Sequence, residues 1–516
     1  MPKSEMSASP QSALPWRAAL VLALFATLLA IVGPRHEPWF DEAQAWLIGR
    51  DTTLWELLAH RVRYEGTPGL WHALLWLASH AGLPYASLWL ISGALACVGA
   101  WVILTRAPFP YWLRVGTVFS YFVAYQYAIV ARSYALDLAL IPLIAASFAD
   151  RLRRPILYGT LLGLLANANA HSFLVSGVLF AEFLFTSWRE GTWGAWHWPR
   201  ARLIGGAIYL GLAGAAVLQT WPPPDGSFTL KATTALDRGV QMMIEAFIDR
   251  LDVWNTAAPG DLSARSGVLL TALLIAPSFL LFRHARIVLL ATALFAILIG
   301  FSIVTYANAW HAGILYLCWI FALWIAWQAL PELSAAYRRA AVASITAIVF
   351  VNVYYTVTAS IRDLREPYSA APAVAQVLAA NDARVAAMGF KTFAVQPWFT
   401  ANAFRNYHDG APDAAYYAWK LSEEFLPDVA FDGWRRAAKD ARYDALLLSI
   451  HQMTPEHMTR FLTVAQAAGY CKPAHFPGGL IWKSYVMESD ALMVFRRCPD
   501  ATAQASAEQG HAPAAP

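Results

Sequence analysis

The sequence predicts an all-α polytopic membrane domain of about 11 transmembrane helices, followed by a small extracytoplasmic α/β domain at the carboxyl terminus. Three observations carry this reading. Of the 516 residues, 58% are hydrophobic and 14% charged, with a mean hydropathy of +0.42; a soluble domain carries about 25% charged residues. Apolar runs that cross or nearly cross a bilayer recur from residue 16 to residue 358. After about residue 361 the runs shorten and charges return. The formal charge of +4 is small for this length and the basic residues form no stripe, so nucleic acid is not indicated and the partners are expected to be lipidic.

Residues 1–15 are polar and read as a disordered cytoplasmic tail, and Trp16 to Val32 as the first span. A cleaved signal peptide is the rival reading, but "LLAIVGPRHE" offers a poor small-residue cleavage site and many apolar runs follow. These lie at 86–105, 115–131, 134–149, 156–170, 172–187, 203–219, 266–282, 287–304, 312–328 and 340–358. With the amino terminus in the cytoplasm, the inner connections carry Arg106, Arg114, Arg151, Arg153, Arg154, Arg189, Arg200, Arg202, Arg283, Arg286, Arg338 and Arg339. The short outer connections carry only Arg132, the asymmetry that the positive-inside rule requires. This parity holds only if "TPGLWHALLWLASH" (67–80) does not cross. Its apolar core is too short to span, and Trp71, His72 and Trp76 suit an interfacial helix.

The membrane domain then occupies 16–360, with a first outer loop at 33–84 and a second at 220–265. In the part from 361 to 498, "ARVAAMGF" (383–390), "YDALLLSI" (443–450) and "ALMVFRR" (491–497) read as short buried strands, separated by helical stretches such as 371–380 and 455–469. This is the expected periplasmic α/β domain. Cys471 and Cys498 are its only cysteines; export permits a disulfide between them, and two free thiols are the alternative. Residues 499–516 read as a disordered tail.

The candidate chemistry starts in "RHEPWFDEAQAW" (35–46), where Asp41 and Glu42 sit among Trp39, Phe40 and Trp46 just beyond the first span. Carboxylates at a membrane surface are costly unless solvated, paired or functional. The structural reading is that Asp41 caps a helix over 42–50, with Gln44 completing something like a capping box. The functional reading places the two acids in a site. Glu65 either joins Asp41 in a site or pairs with Arg61 or Arg63 on a solvated face. His72 contacts phosphate or sits in the interface. His171 and His311, with Asn167, Asn169 and Asn308, lie where spans emerge and either line a site or finish helix ends.

The order of these features resembles the GT-C membrane glycosyltransferases, most nearly the protein O-mannosyltransferase and lipid A aminoarabinose transferase group. "WFDEAQAW" is similar to the acidic motif of that family at Asp41 and Glu42. "YEGTPGLWH" (64–72) occupies the place of its His-Pro-Pro segment, with Thr67-Pro68-Gly69 departing from it. "VARSYALD" (130–137) resembles its Ser-Arg-x-x-Arg-Tyr-like stretch, with a single Arg. The resemblance implies transfer of a sugar from a polyprenyl-phosphate donor to a lipid, glycan or protein acceptor on the outer face of a bacterial inner membrane. It implies catalytic roles for Asp41 as general base, for Glu42 in orienting Asp41 or binding sugar hydroxyls, and for Glu65, and substrate binding by Arg132, Tyr134, His72, His171 and His311. Arg132 would neutralise the phosphate leaving group. No cofactor is expected beyond the lipid-linked donor, and no metal, since no tight ligand spacing occurs and the mannosyltransferase-like branch is associated with metal-independent transfer. The alternative is a transporter or flippase of lipid-linked sugars, which would place charges at the bilayer midplane and show repeats or broken helices there. Glu182 is the acid noted inside a run.

Overall fold

The computed structural model describes residues 15–190, 199–226, 235–249, 261–380, 384–407, 413–419, 427–451 and 453–498. The expected tails, 1–14 and 499–516, lie outside the described residues. Ten of the eleven apolar runs fall on helices, and the remaining one, 115–131, is helical only in part. Among the described residues seven segments are long and apolar enough to cross a membrane: Pro15–Val32, Tyr85–Arg106, Ala170–Glu190, Arg200–Thr220, Ser266–His284, Ala309–Glu332 and Ala335–Asp363. Pro155–Ala166 and Val288–Val304 are shorter apolar helices.

Lipid supplies no hydrophobic drive between helices, so close backbone packing substitutes for it. A Cβ on Gly159 would lie 2.1 Å from the Gly205 carbonyl oxygen, and one on Gly205 would lie 2.2 Å from that of Pro155. Helices Pro155–Ala166 and Arg200–Thr220 therefore touch along their backbones, and only glycine fits at the crossing.

The run at 115–131 is not one continuous helix. Tyr111–Val118 is α-helical, Phe122–Gln126 is a π-helical turn, and the chain is irregular from there until Ala135–Ser147. Glutamine and tyrosine side chains stabilise the break: Tyr121 donates to Gln126 Oε1 at 2.9 Å. A π-turn displaces the backbone that follows it, and such turns recur at functional sites. Here the displaced stretch carries Arg132.

At the same end of the bundle lie two short helices, Phe40–Asp51 and Leu70–His80. They pack closely because Gly49 leaves room for the second backbone; a Cβ there would meet Trp76 N at 2.9 Å. Leu70–His80, the non-crossing segment, has 11 residues and buries Trp71, His72 and Leu75. A further helix, Leu236–Phe247, falls inside the segment expected to be loop, and it buries Met242, Glu245 and Phe247.

The C-terminal part contains a mixed sheet in the order β1-β2-β6-β3, formed by β1 (Val385–Met388), β2 (Ala445–Ser449), β3 (Ala474–Phe476) and β6 (Leu492–Arg496). β1 and β2 are parallel, β6 is antiparallel to β2 and β3, and Leu446 faces Phe495 across the β2–β6 ladder. The three strands expected from sequence are β1, β2 and β6. Helices Pro427–Lys439 and Pro455–Ala467 cover one face, with Trp434 and Phe461 against Leu446, Leu448 and Phe495. A disulfide joins Cys471 to Cys498.

A hairpin, β4 (Gly479–Trp482) with β5 (Tyr485–Ser489), drives this part into the helical body. Its turn residue Lys483 has φ 53°, a left-handed geometry that primed hairpin turns need and that lysine rarely adopts. The side chain compensates. Lys483 Nζ donates to Glu245 Oε2 at 3.1 Å and to Glu245 O at 2.9 Å, and Trp482 Nε1 donates to the same carboxylate at 2.9 Å.

Candidate active site

A cavity of about 710 Å³ opens where the short helices, the irregular stretch after the π-turn and the C-terminal domain meet. Asp41 and Arg132 lie at its centre. Asp41 is in the first turn of Phe40–Asp51, and its Oδ2 is 2.6 Å from Arg132 Nη2. Arg132 lies over the rings of Trp310, Tyr134 and Trp39, with centroids at 4.9, 5.1 and 5.5 Å. Such stacking holds a guanidinium plane in place and leaves its edge for hydrogen bonding. Among the described residues Arg132 Nη1 has no hydrogen-bond partner. Burial raises the Asp41 carboxyl above the usual carboxylate range, by more than the Arg132 and Lys391 charges lower it.

Asp41 does not cap its helix. Trp39 occupies the cap position, and it is Glu42 whose Oε2 accepts from Trp39 N–H at 3.2 Å. Adjacent positions on a helix point about 100° apart, so Glu42 turns away from the cavity that Asp41 faces. The expectation that Glu42 would bind sugar or orient Asp41 by direct contact does not match this placement. Fully buried, its Oε2 is 3.1 Å from His36 Nε2, whose Nδ1 is 3.0 Å from Asp363 Oδ2; Tyr125 donates to the same Asp363 oxygen at 3.0 Å. Burial works against charge on His36, yet Asp363 and Glu42 outweigh it and hold its pKa at about 10. Glu42 Oε1 accepts from Ala131 N–H at 2.6 Å. Glu42 thus ties the start of one segment to the backbone directly before Arg132.

Glu65 lines the cavity but pairs with neither nearby arginine. Arg61 is bound to Glu56 at 2.6 Å and Arg63 donates to Trp221 O at 2.9 Å. Instead Glu65 accepts from Gln44 Nε2 at 2.9 Å and from the Trp419 side chain. Gln44, expected as part of a capping box, also bonds both backbone groups of Tyr417 at 2.8 Å. Burial, with the nearby Asp41 charge, raises the Glu65 pKa to about 8 despite these hydrogen bonds. His72 lines the same wall; burial lowers its pKa to about 4, and its Nδ1 has no partner among the described residues.

The opposite wall carries Tyr134, His171 and His311. The two imidazoles stack at 4.2 Å, and His311 Nδ1 accepts from Asn308 N–H at 2.7 Å, which leaves its proton on Nε2. Asn169 caps the helix that carries His171 by accepting from Ser172 N–H at 2.9 Å. Asp137, an acid inside the run 134–149 that sequence reasoning passed over, receives Asn169 Nδ2 at 2.8 Å and Ser172 Oγ at 2.7 Å. Asn167 instead finishes a helix end, donating to Gly163 O and Leu212 O. Beyond these polar groups the lining is apolar, through Phe173, Leu174, Ala216, Val217 and Phe301.

Sequence reasoning missed the roof. Phe390, Lys391, Trp419, His451 and Glu488, all from the C-terminal domain, close over the cavity. Lys391 pairs with Glu488 and lies 3.5 Å from Asp490, and its Nζ donates to Ser489 O at 2.9 Å. Buried lysine in a short 3₁₀ segment offers no periodic signal, so only the tertiary docking reveals it. No group of three or more His, Cys, Asp or Glu side chains suited to hold a metal occurs among the described residues.

Glu182 lies far from all of this. It follows the cavity-lining His171 by roughly 16 Å along its helix and forms a two-point pair with Arg151, at 2.9 and 2.6 Å.

A helical membrane body, a small C-terminal sheet domain and a cavity at their junction define a GT-C-like fold, the architecture that the sequence resemblance implies. Two crystal structures share it: ArnT from Cupriavidus metallidurans in the apo state (12% identity, 94% of this chain and 98% of that one, TM-score 0.55) and the same ArnT bound to undecaprenyl phosphate (13% identity, 93% and 98%, TM-score 0.52). No family model and no curated protein matches the chain.

Proposed function

We propose that the protein is a membrane glycosyltransferase that moves a sugar from a polyprenyl-phosphate donor to an acceptor hydroxyl or phosphate on the outer face of the membrane. One observation carries the reading. A close acid–base pair, Asp41 and Arg132 at 2.6 Å, sits in a cavity whose other side is apolar, and among the described residues the arginine keeps one nitrogen without a partner. A lipid phosphate fits both halves. Its chain lies against Phe173, Leu174 and Val217, and its phosphate completes the hydrogen bonds of Arg132. That the ArnT structure sharing this fold holds undecaprenyl phosphate supports a lipid of the same kind here.

In this reading Asp41 Oδ1 takes the proton of an acceptor hydroxyl as its oxygen bonds to the anomeric carbon. The bond from that carbon to the phosphate oxygen breaks, and the lipid phosphate leaves with its electron pair, stabilised by Arg132. Glu65, protonated below its pKa of about 8, donates to a substrate oxygen rather than competing as a base. The unequal environments of the two acids divide their work. Residues 16–360 carry the reacting groups and 361–498 close the site from the periplasmic side. Glu182, the acid noted inside a run, is neutralised by Arg151, which favours a transferase over a carrier that exposes its site alternately.

Comparison of lipid extracts and envelope glycans from cells with and without the gene tests this. Loss of the protein should cause one polyprenyl-phosphate sugar to accumulate and one glycan modification to disappear. Unchanged lipids and glycans would contradict it.

A further inference from the structure

Within the roof, the groups are arranged with one oxygen left over. Glu488 Oε1 takes both Lys391 Nζ and His451 Nδ1, the latter at 3.1 Å. Its Oε2 has no partner among the described residues, and its side chain is 27% exposed, whereas Lys391 is 1% exposed. Lys391 is therefore spent on holding Glu488, Asp490 and Ser489 O in place, and it is the carboxylate that faces the cavity. Burial and the Lys391 charge lower the His451 pKa to about 4, so its ring is neutral at physiological pH. With Nδ1 3.1 Å from Glu488 Oε1, the proton of the neutral ring belongs on Nδ1, facing the carboxylate, and Nε2 is an acceptor.

Beside these acceptors stand two aromatic faces. Phe390 and Trp419 lie 5.6 Å apart, His451 packs edge-on to Phe390 at 5.6 Å, and the Trp419 side chain is anchored on Glu65. The roof is thus an aromatic corner with two hydrogen-bond acceptors and no spare cation. Such a surface repels a phosphate and suits a ring with C–H faces and hydroxyl edges. It lies close enough to Asp41 that this acid feels the charges of Arg132, Lys391 and Glu488 together.

We propose that the C-terminal domain carries the sugar-recognition subsite, in which Glu488 Oε2 and His451 Nε2 accept hydroxyls of the transferred sugar against the rings of Phe390 and Trp419. The inference rests on the donor reading above and assigns its two halves to different parts of the chain: phosphate to Arg132, sugar to the roof. The choice of sugar then lies in residues 390, 419, 451 and 488, not in the helical body.

The test uses full-length protein in detergent and two probes without acceptor: undecaprenyl phosphate, and the sugar-bearing lipid extracted from cells lacking the gene. Wild type should bind the second more tightly. Glu488→Gln should leave undecaprenyl phosphate binding unchanged and weaken the sugar-bearing lipid about tenfold, the difference between a charged and a neutral hydrogen bond. His451→Phe, which keeps a ring against Phe390, should weaken it several-fold in the same selective way and guards against a folding defect in the first variant. Equal loss of both probes, or no loss of either, overturns the roof proposal while leaving the donor reading intact. If wild type binds neither probe, or no sugar-bearing lipid accumulates, the donor reading fails and the roof proposal with it.

Discussion

Asp41 Oδ2 and Arg132 Nη2 are 2.6 Å apart, so the acid of the first motif and the only arginine of the short outer connections meet directly. Neither was expected to bind the other. The pair sits near an apolar wall, and Arg132 Nη1 is left without a hydrogen-bond partner among the described residues. In the proposed reaction, base and phosphate anchor thus stand side by side before substrate arrives.

Arg132→Lys should weaken binding of undecaprenyl phosphate about tenfold or more, because lysine keeps the charge but loses the two-edged fork that serves Asp41 and phosphate together. Native mass spectrometry or a lipid-dependent thermal shift measures it. Undiminished binding would remove the phosphate from this position.

Glu42→Gln should behave unlike any change at Asp41. It breaks a fully buried charge cluster with His36 and Asp363, and removing one partner of such a cluster costs about 3–5 kcal/mol. The expected result is a lower melting temperature, with the donor affinity of the remaining folded protein preserved. A normal melting temperature with lost transfer would instead make Glu42 catalytic.

The pH dependence follows from Glu65. Its folded pKa of about 8 exceeds the ordinary value of 4.5, so between these the folded state holds a proton that the unfolded chain releases. The Glu65 contribution to stability therefore falls as pH rises from about 4.5 towards 8 and levels off above it. Glu65→Gln should flatten that slope. Melting curves from pH 5 to pH 9 on both proteins check it, and parallel slopes would contradict the raised pKa.

Reduction of the Cys471–Cys498 disulfide should destabilise the C-terminal domain by roughly 3–4 kcal/mol in the chain-entropy model. Cys498→Ser, assayed with non-reduced peptide mapping of wild type, tests both the bond and its effect. Two separately alkylated thiols in native membranes would refute the pairing.

The helical runs were legible because a span needs only local apolarity, and strands β1, β2 and β6 because short buried strands are continuous apolar stretches. Asp41, Glu65, Arg132, His72, His171 and His311 were legible as polar groups at run ends. Other features depend on tertiary structure. Glu42, expected to orient Asp41 or bind sugar hydroxyls, lies on a different face of the helix, buried against His36 and the Ala131 N–H. The break after Val118 was hidden, since a π-turn keeps the apolar composition of a span. Lys391, His451 and Glu488 lie on separate strands and turns of a domain whose docking, through Lys483 and Glu245, brings them over a cavity that is remote in sequence.

Asp41→Asn is the most direct test of the central claim. Asn keeps the shape of Asp and can still bond Arg132, so the variant should reach normal levels in the membrane and bind undecaprenyl phosphate. Transfer, measured as restoration of the missing glycan modification in cells lacking the gene, should fall by about 10²-fold or more, the range that a general base contributes. Normal transfer by Asp41→Asn at normal membrane levels would contradict the assignment of Asp41 as the base and, with it, the proposed reaction at this site.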